Sequence, residues 1–293
     1  MKTDIEPAIK DFSNQLSQKL ENNKIHIVSH FDTDGITAAA IMTKTLNRLG
    51  KQFSTKIIKQ LNQEEINLFP RDNLIILLDL GSSHLEELSK LKNTVFVLDH
   101  HEIGNNPKNL VILNPHLYKE YQDLCSAELT YLVSKEISEE NKDLAKLAIL
   151  GMIGDTMEKN ITPLRNQIIR DSEVRIKKGV LIYPSTRPLN KTLEYSSRPF
   201  IPGVTGDSKG TYEILNEAGI ERVGKYHKAL IDLNETEMKN LATAITLRLS
   251  EKEASKYLGN LYLLKFFNKI EDAREISAII NACSRMDQPQ IAL

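Results

Sequence analysis

Cysteine is almost absent from this chain of 293 residues. Cys125 and Cys283 stand alone, with neither metal-ligand nor redox spacing, and read as plain core or surface thiols. No apolar stretch approaches the roughly 18 residues that span a bilayer. The opening Met-Lys-Thr-Asp-Ile-Glu has no apolar run of the signal-peptide kind. The expectation is a cytoplasmic protein with no membrane partner. Charge of one sign is not in excess either: the net charge of −1 excludes a globally basic nucleic-acid binder. There is no internal repeat and no low-complexity tract. What remains is an ordinary globular composition, 41% hydrophobic and 26% charged, long enough for one large domain or two modest ones.

The pattern of apolar residues sets the fold class. Helical spacing over 5–22 is followed by a buried strand at Ile25-His26-Ile27-Val28-Ser29 and a helix from Gly35 to Gly50. Strands at 53–58 and 74–80, a helix from about Ser83 and a strand at 94–98 continue the alternation. Nearly continuous apolar strands between helices predict an α/β fold, a parallel β-sheet buried on both faces by flanking helices. From Ser126 to about Lys178 the spacing predicts mainly helix. Residues 179–209 carry Pro184, Pro188, Pro199 and Pro202 and read as a long ordered loop or wall without helix. Helical patterning returns over 210–250, with a start near Asn234. A strand at 259–264 and a helix at 272–283 read as the beginning of a second α/β domain.

Chemistry-bearing residues gather at the ends of the predicted strands. His30, Asp32 and Asp34 alternate after the first strand, Asp79 ends the wholly apolar Leu74–Leu78 run, and Asp99-His100-His101 follows the next strand. Asp155 sits on a Gly-flexed turn behind the apolar run 144–149. The carboxyl ends of parallel strands are where open α/β sheets build sites. A carboxylate ending an apolar strand is costly to the core unless hydrogen-bonded or bound to a cation. Imidazole and carboxylate at this density suit a divalent ion such as Mn²⁺, and two such ions suit phosphoester hydrolysis. Asp99 or Asp155 taken alone reads more often as a helix N-cap, a reading that weakens when four strand or turn ends all present ligand-type residues. His26, His84, His116 and His227 are given no role. Between Ile161 and Phe200 eight basic side chains face three acidic ones. That local excess of five reads either as a phosphate-facing patch or as a solvated helix face.

His-x-Asp-x-Asp-Gly, a lone Asp after an apolar strand, Asp-His-His and Gly-x-x-Gly-Asp, in this order, resemble the four motifs of the DHH phosphoesterase superfamily. Leu181–Lys191, Tyr195–Gly206 and Asp272–Met286 resemble its archaeal RecJ-like members, including the GINS-associated nuclease. The resemblance implies a two-ion phosphodiesterase, with Mn²⁺ or alternatively Mg²⁺. One ion would be held by His30, Asp32 and Asp79 and the second by Asp34, Asp79, His100 and Asp155, with Asp79 bridging. His101 would face the scissile phosphate and Asp99 would support the histidine pair, these two acting in catalysis. The implied activity is exonucleolytic hydrolysis of single-stranded DNA or RNA to nucleoside monophosphates. Arg187, Lys191 and Arg198 would grip the strand and Tyr183 or Tyr195 would stack on a base. GINS-type replication proteins are the implied partners. A small-nucleotide phosphodiesterase or nano-RNase, and a non-catalytic replication scaffold, are the alternatives.

The resemblance divides the chain into a DHH domain at 1–200 with the Pro-rich wall at 179–209, a helical linker at 201–255 and a DHHA1-like domain from 256 to 293. The Gly-Gly-Gly-His-type motif of a DHHA1 domain is absent from the sequence. The expectation is therefore a complete metal site beside an incomplete substrate clamp.

Overall fold

A computed structural model describes residues 4–21, 23–105, 107–119, 123–224 and 226–293. Its contacts divide the chain into two compact units, one formed by residues up to Glu173 together with Ser277–Leu293, the other by Val174–Ile276.

The first unit is built on α1 (Glu6–Leu20), β1 (Lys24–His30), α2 (Thr33–Arg48), β2 (Phe53–Ile58), α3 (Gln63–Asn67), β3 (Asn73–Leu78), α4 (Leu85–Ser89), β4 (Val95–Leu98) and β5 (Val111–Leu113). The strands form one sheet in the order β2-β1-β3-β4-β5, with every pairing parallel. The register sets Ile25 opposite Leu74 and Ile75 opposite Val95, so β1, β3 and β4 end together. In β3 all five residues of Leu74-Ile75-Ile76-Leu77-Leu78 are buried, because alternate side chains serve two covered faces. Ile75 and Leu77 pack with Val95, Val97, Ile66 and Leu88 on the side of α3 and α4. On the other face Phe12 of α1 meets Phe96 edge-on at 5.2 Å. Three further helices, α5 (Ser126–Ile137), α6 (Ala145–Gly154) and α7 (Pro163–Ser172), complete this part, with α5 and α6 packed on α2.

The second unit contains β6 (Arg175–Val180), α8 (Leu189–Glu194), α9 (Ser208–Glu217), β7 (Arg222–Val223), β8 (Tyr226–His227), α10 (Glu235–Thr246), α11 (Glu251–Ala254), β9 (Leu258–Phe266) and β10 (Lys269–Asp272). Its main sheet is antiparallel, in the order β10-β9-β6. Val180, Ile182, Leu193, Ile201, Val204 and Leu241 are among the members of its own apolar core. The chain closes with α12 (Ala273–Arg285), whose residues from Ser277 belong to the first unit, and α13 (Pro289–Ala292).

Two expectations are corrected here. The helical stretch expected to run to Lys178 ends at Ser172, and Arg175–Val180 is a strand. Its partner is β9, with Arg175 opposite Leu263 and Val180 opposite Leu258, more than 75 residues away and invisible to local spacing. The wall at 179–209 contains a helix, α8, because Pro188 stands at its N-cap, outside the turn that a proline would break. The strand expected at 259 is β9 and joins β6, and the two compact units divide after Glu173 and Ile276. The helix start at Asn234 is where it was expected: Asn234 and Glu237 form a reciprocal capping box. Among the described residues no helix is long and apolar enough to cross a membrane.

Candidate metal centre

The end of β1 and the start of α2 supply three of the candidate ligands. Asp32 is the N-cap of α2 and accepts the Gly35 N–H at 3.0 Å, satisfying one of the helix's orphan donors. Its other oxygen lies 3.0 Å from Nδ1 of His30. The turn is tight: a Cβ at residue 35 would come within 2.4 Å of the His30 carbonyl oxygen, so only glycine fits. Asp34, in the first turn of α2, has no exposed surface.

Asp79 follows β3 at φ +59°, a left-handed conformation that aspartate tolerates better than most residues. Its two oxygens diverge. Oδ2 lies 3.1 Å from Nδ1 of His30, and Oδ1 lies 3.3 Å from Nε2 of His100. Asp99 follows β4 and is buried. Its Oδ1 accepts the backbone N–H of His100 and His101 and meets Nδ1 of His101 at 2.7 Å, and its Oδ2 accepts the Ser82 N–H. Asp99 thus organises the loop and does not point at the other carboxylates. Asn114 donates to Ser82 Oγ and the His101 carbonyl, bracing the same loop.

Asp155, the C-cap of α6, brings its Oδ2 to 3.1 Å from Nε2 of His100. Opposite, the N-terminus of α5 points at Asp34. Ser126 and Ala127 donate their backbone N–H groups to its two oxygens at 2.7 and 2.8 Å, and Ser126 Oγ donates to Asp79 Oδ1 at 3.0 Å. The approach requires Gly151, where a Cβ would meet Asp34 Oδ1 at 2.6 Å and the Ala127 methyl at 2.5 Å. The structure therefore brings His30, Asp32, Asp34, Asp79, His100 and Asp155 into one constellation. Ligand atoms lie within 4.8 Å of one another in each of three sets: His30-Asp32-Asp79, Asp34-His100-Asp155 and Asp79-His100-His101.

The electrostatics fit a cation. Burial, then the Asp79 and Asp155 charges, push Asp34 well above the usual carboxylate range, and burial also raises Asp32. Burial opposes ionisation of Asp79 too, but hydrogen bonds to His100 and His30 hold its carboxyl below the usual range. Burial would lower both histidines, yet hydrogen bonds to Asp32 and Asp79 raise His30 to about 10, and bonds to Asp155 and Asp79 raise His100 to about 11. Protons on these imidazoles stand where positive charge is needed. Four carboxylates around two imidazoles, offering only oxygen and nitrogen donors, suit a hard or borderline divalent ion.

Among the described residues the sequence reading missed Ser126, Asn114 and a buried ion pair. Arg165 and Glu128, both fully buried, form a bidentate bridge at 2.7 Å, and Arg165 also donates to the carbonyls of Met157, Asn160 and Asp123. Glu128 accepts the Cys125 N–H as well, so the pair fixes the α5 terminus that meets Asp34. Arg165 is one of the eight basic residues between Ile161 and Phe200, and its burial removes it from any surface patch. Lys177 leaves the patch too, its ammonium held by the carbonyls of Leu230, Ile231 and Leu233. Arg187, Lys191 and Arg198 all lie in the second unit. Arg187 pairs with Glu275 at 2.6 Å, and Lys191 pairs with Glu194 at 3.0 Å beneath the exposed ring of Tyr195. Arg198 and Tyr183 are exposed. His26, His84 and His227 meet Ser54, Ser83 and the Tyr212 ring, and none of them belongs to the ligand sets.

Residues 24–152 match the DHH family, N-terminal domain, and residues 182–258 match the DHH-CID domain. The similarity to DHH proteins thus takes in residues 24–152 and 182–258. Among curated proteins it is 28% identical over 294 residues to an uncharacterised protein of Methanocaldococcus jannaschii, covering 94% of this chain and 65% of that one. The chain thus spans about two-thirds of that relative's length. Among solved structures, CDC45 from Entamoeba histolytica superposes with a TM-score of 0.64 at 14% identity, over 93% of this chain and 62% of that one. Exonuclease RecJ bound to manganese gives 0.49 at 18% identity, over 98% of this chain and 68% of that one. Identities this low concern the fold alone.

Proposed function

We propose that this chain is a two-ion phosphodiesterase that hydrolyses single-stranded DNA or RNA from an end, releasing nucleoside monophosphates, with Mn²⁺ as the ion and Mg²⁺ as a substitute. The observation that carries this reading is Asp79: one carboxylate offers Oδ2 to His30 and Oδ1 to His100, a donor shared between two ligand sets. In this reading His30, Asp32 and Asp79 hold one ion, and Asp34, Asp79, His100 and Asp155 the other. When bound, the ions supply Lewis acidity toward the phosphoryl oxygens and lower the pKa of water.

The chain's own residues do the rest. Asp99 accepts the Nδ1 hydrogen of His101, which fixes the ring and leaves Nε2 to face the scissile phosphate. That hydrogen bond, partly offset by burial, raises the pKa of His101, the direction that suits a proton donor to the departing oxygen. The α5 amides and Ser126 hold Asp34 and Asp79 in orientation, so the donors need no rearrangement during reaction. Arg187, Lys191 and Arg198 are the backbone contacts of this reading, since Arg187 and Lys191 form exposed ion pairs that exchange readily for phosphate.

The CDC45-like fold favours a second reading, a replication scaffold that binds GINS-type proteins. A scaffold has no use for a filled donor set, and every motif position here carries a ligand-type residue. The test is Mn²⁺-dependent degradation of end-labelled single-stranded DNA and RNA, with dinucleotides compared against 20-mers. Hydrolysis that disappears with chelator and in Asp79→Ala supports the phosphodiesterase. Full activity in Asp79→Ala, or none in the Mn²⁺-loaded wild type, overturns it.

A further inference from the structure

A cavity of about 220 Å³ opens beside the candidate metal centre, within the first unit. Asp32 and Asp155, one from each ligand set, line one side of it, and Phe31 stands next to them. The second half of α12 forms the other wall through Asn281, Ser284 and Arg285. From these we infer that the cavity is a nucleotide-phosphate subsite whose donors are Asn281 and Arg285, an inference that rests on the phosphodiesterase reading and names where its substrate is held.

The wall is fixed in place. Ser277 and Asn281, one turn apart on α12, both grip Thr33 at the start of α2: the Thr33 hydroxyl donates to the Ser277 carbonyl at 3.0 Å, and the Thr33 N–H donates to Asn281 Oδ1 at 3.1 Å. Because Oδ1 is occupied as an acceptor, the amide is oriented, and its two Nδ2 hydrogens are left for another acceptor. Among the described residues none accepts them. Arg285 lies one further turn along the same face. Its guanidinium has no carboxylate partner among the described residues, although two carboxylates line the same cavity. Beyond it, Asp287 pairs with Lys59 at 2.9 Å, tying the end of the helix to the Phe31 side, where the Lys59 ammonium lies 6.0 Å from the ring centroid.

The chemistry of the lining selects the ligand. A guanidinium fork and an oriented amide present several N–H donors and no acceptor, which suits a phosphate. The acids on the opposite wall repel an anion unless cations sit between them, so the subsite works only beside a loaded centre. At 220 Å³ the cavity is smaller than the roughly 300–1,000 Å³ of drug-sized sites, room for a phosphate and part of its nucleoside. The part of the chain expected to lack a substrate clamp thus contributes one.

The test compares binding of adenosine 5′-monophosphate and adenosine to the full Mn²⁺-loaded chain by calorimetry, in wild type, Arg285→Ala and Arg285→Lys, together with KM and kcat on a single-stranded oligonucleotide. Arg285 is exposed, so its replacement leaves folding and Mn²⁺ stoichiometry as readable controls. The expected result is tighter binding of the monophosphate than of the nucleoside, a tenfold to hundredfold loss in Arg285→Ala, partial recovery in Arg285→Lys, and a rise in KM larger than the fall in kcat. Equal binding of the monophosphate by wild type and Arg285→Ala overturns the subsite, and so does absence of binding by the wild type. Arg285-dependent binding without any hydrolysis leaves the subsite standing and removes the phosphodiesterase reading.

Discussion

The two units treat charge in opposite ways. In the first, carboxylates are driven to the ends of buried parallel strands, where Asp34 and Asp79 have 0% and 1% of their surface exposed. In the second, the basic residues lie on and around an antiparallel sheet, and three of the six from the basic segment are satisfied singly, by a carbonyl cluster around Lys177 or by a carboxylate beside Arg187 and Lys191. Concentrated buried charge of one sign calls for an external partner. Dispersed charge with local partners does not. A high local charge count therefore says little until the topology shows whether the charges converge.

The contrast can be broken most severely at Asp79. Its replacement by alanine removes the donor common to both ligand sets, and hydrolysis should fall by at least about a thousandfold. Loss of one bound equivalent of Mn²⁺ in calorimetry distinguishes this from a folding defect. Arg165→Leu comes next. It leaves the Glu128 carboxylate buried without its partner, at a cost of about 3–5 kcal/mol in chemical denaturation, and it should also loosen the α5 terminus that meets Asp34.

The pH response sharpens the comparison. In the metal-free chain His30 and His100 titrate near 10 and 11, above the unfolded value of about 6.5. Raised histidines contribute stability that is full below pH 6.5 and lost as the pH climbs through their folded values. A divalent ion held by these ligands would have to displace those protons, so its uptake would release protons and its affinity would rise with pH. Thermal stability with chelator should therefore fall toward alkaline pH, while stability with Mn²⁺ should rise from acid toward neutral. Parallel curves in the two conditions would remove the histidines from the ion site. The smallest effect belongs to the second unit. Arg187→Ala breaks an exposed pair and should change stability by no more than about 1 kcal/mol, while oligonucleotide affinity becomes less sensitive to salt.

The parallel sheet and its acidic strand ends were legible because both are local: five consecutive apolar residues followed by Asp79 state a buried strand and a problem at its end. Asp155 was legible for the same reason, since a glycine-flanked turn after an apolar helix announces itself. β6 was not, because Arg175-Ile176-Lys177-Lys178 becomes a strand only through β9, far along the chain. Arg165 was misread as surface charge because its partner Glu128 lies 37 residues away, and a buried guanidinium looks like any other arginine in one dimension. Ser126 gave no signal either. Its role depends on the N-terminus of α5 being aimed at Asp34, a matter of helix packing. α12 was read as a helix, but nothing in its spacing says that Asn281 meets Thr33.

Asp32 serves two masters. One oxygen holds the Gly35 amide and starts a 16-residue helix, and the other faces His30 in the ligand set. Whatever enters the site pulls on the same carboxylate that pins the helix, so occupancy and helix initiation are mechanically in series. The Gly35 amide proton is then a built-in gauge: with diamagnetic Mg²⁺ as the probe, its chemical shift and exchange rate should change on loading of the centre, in a protein whose substrate need not be known for the reading to be made.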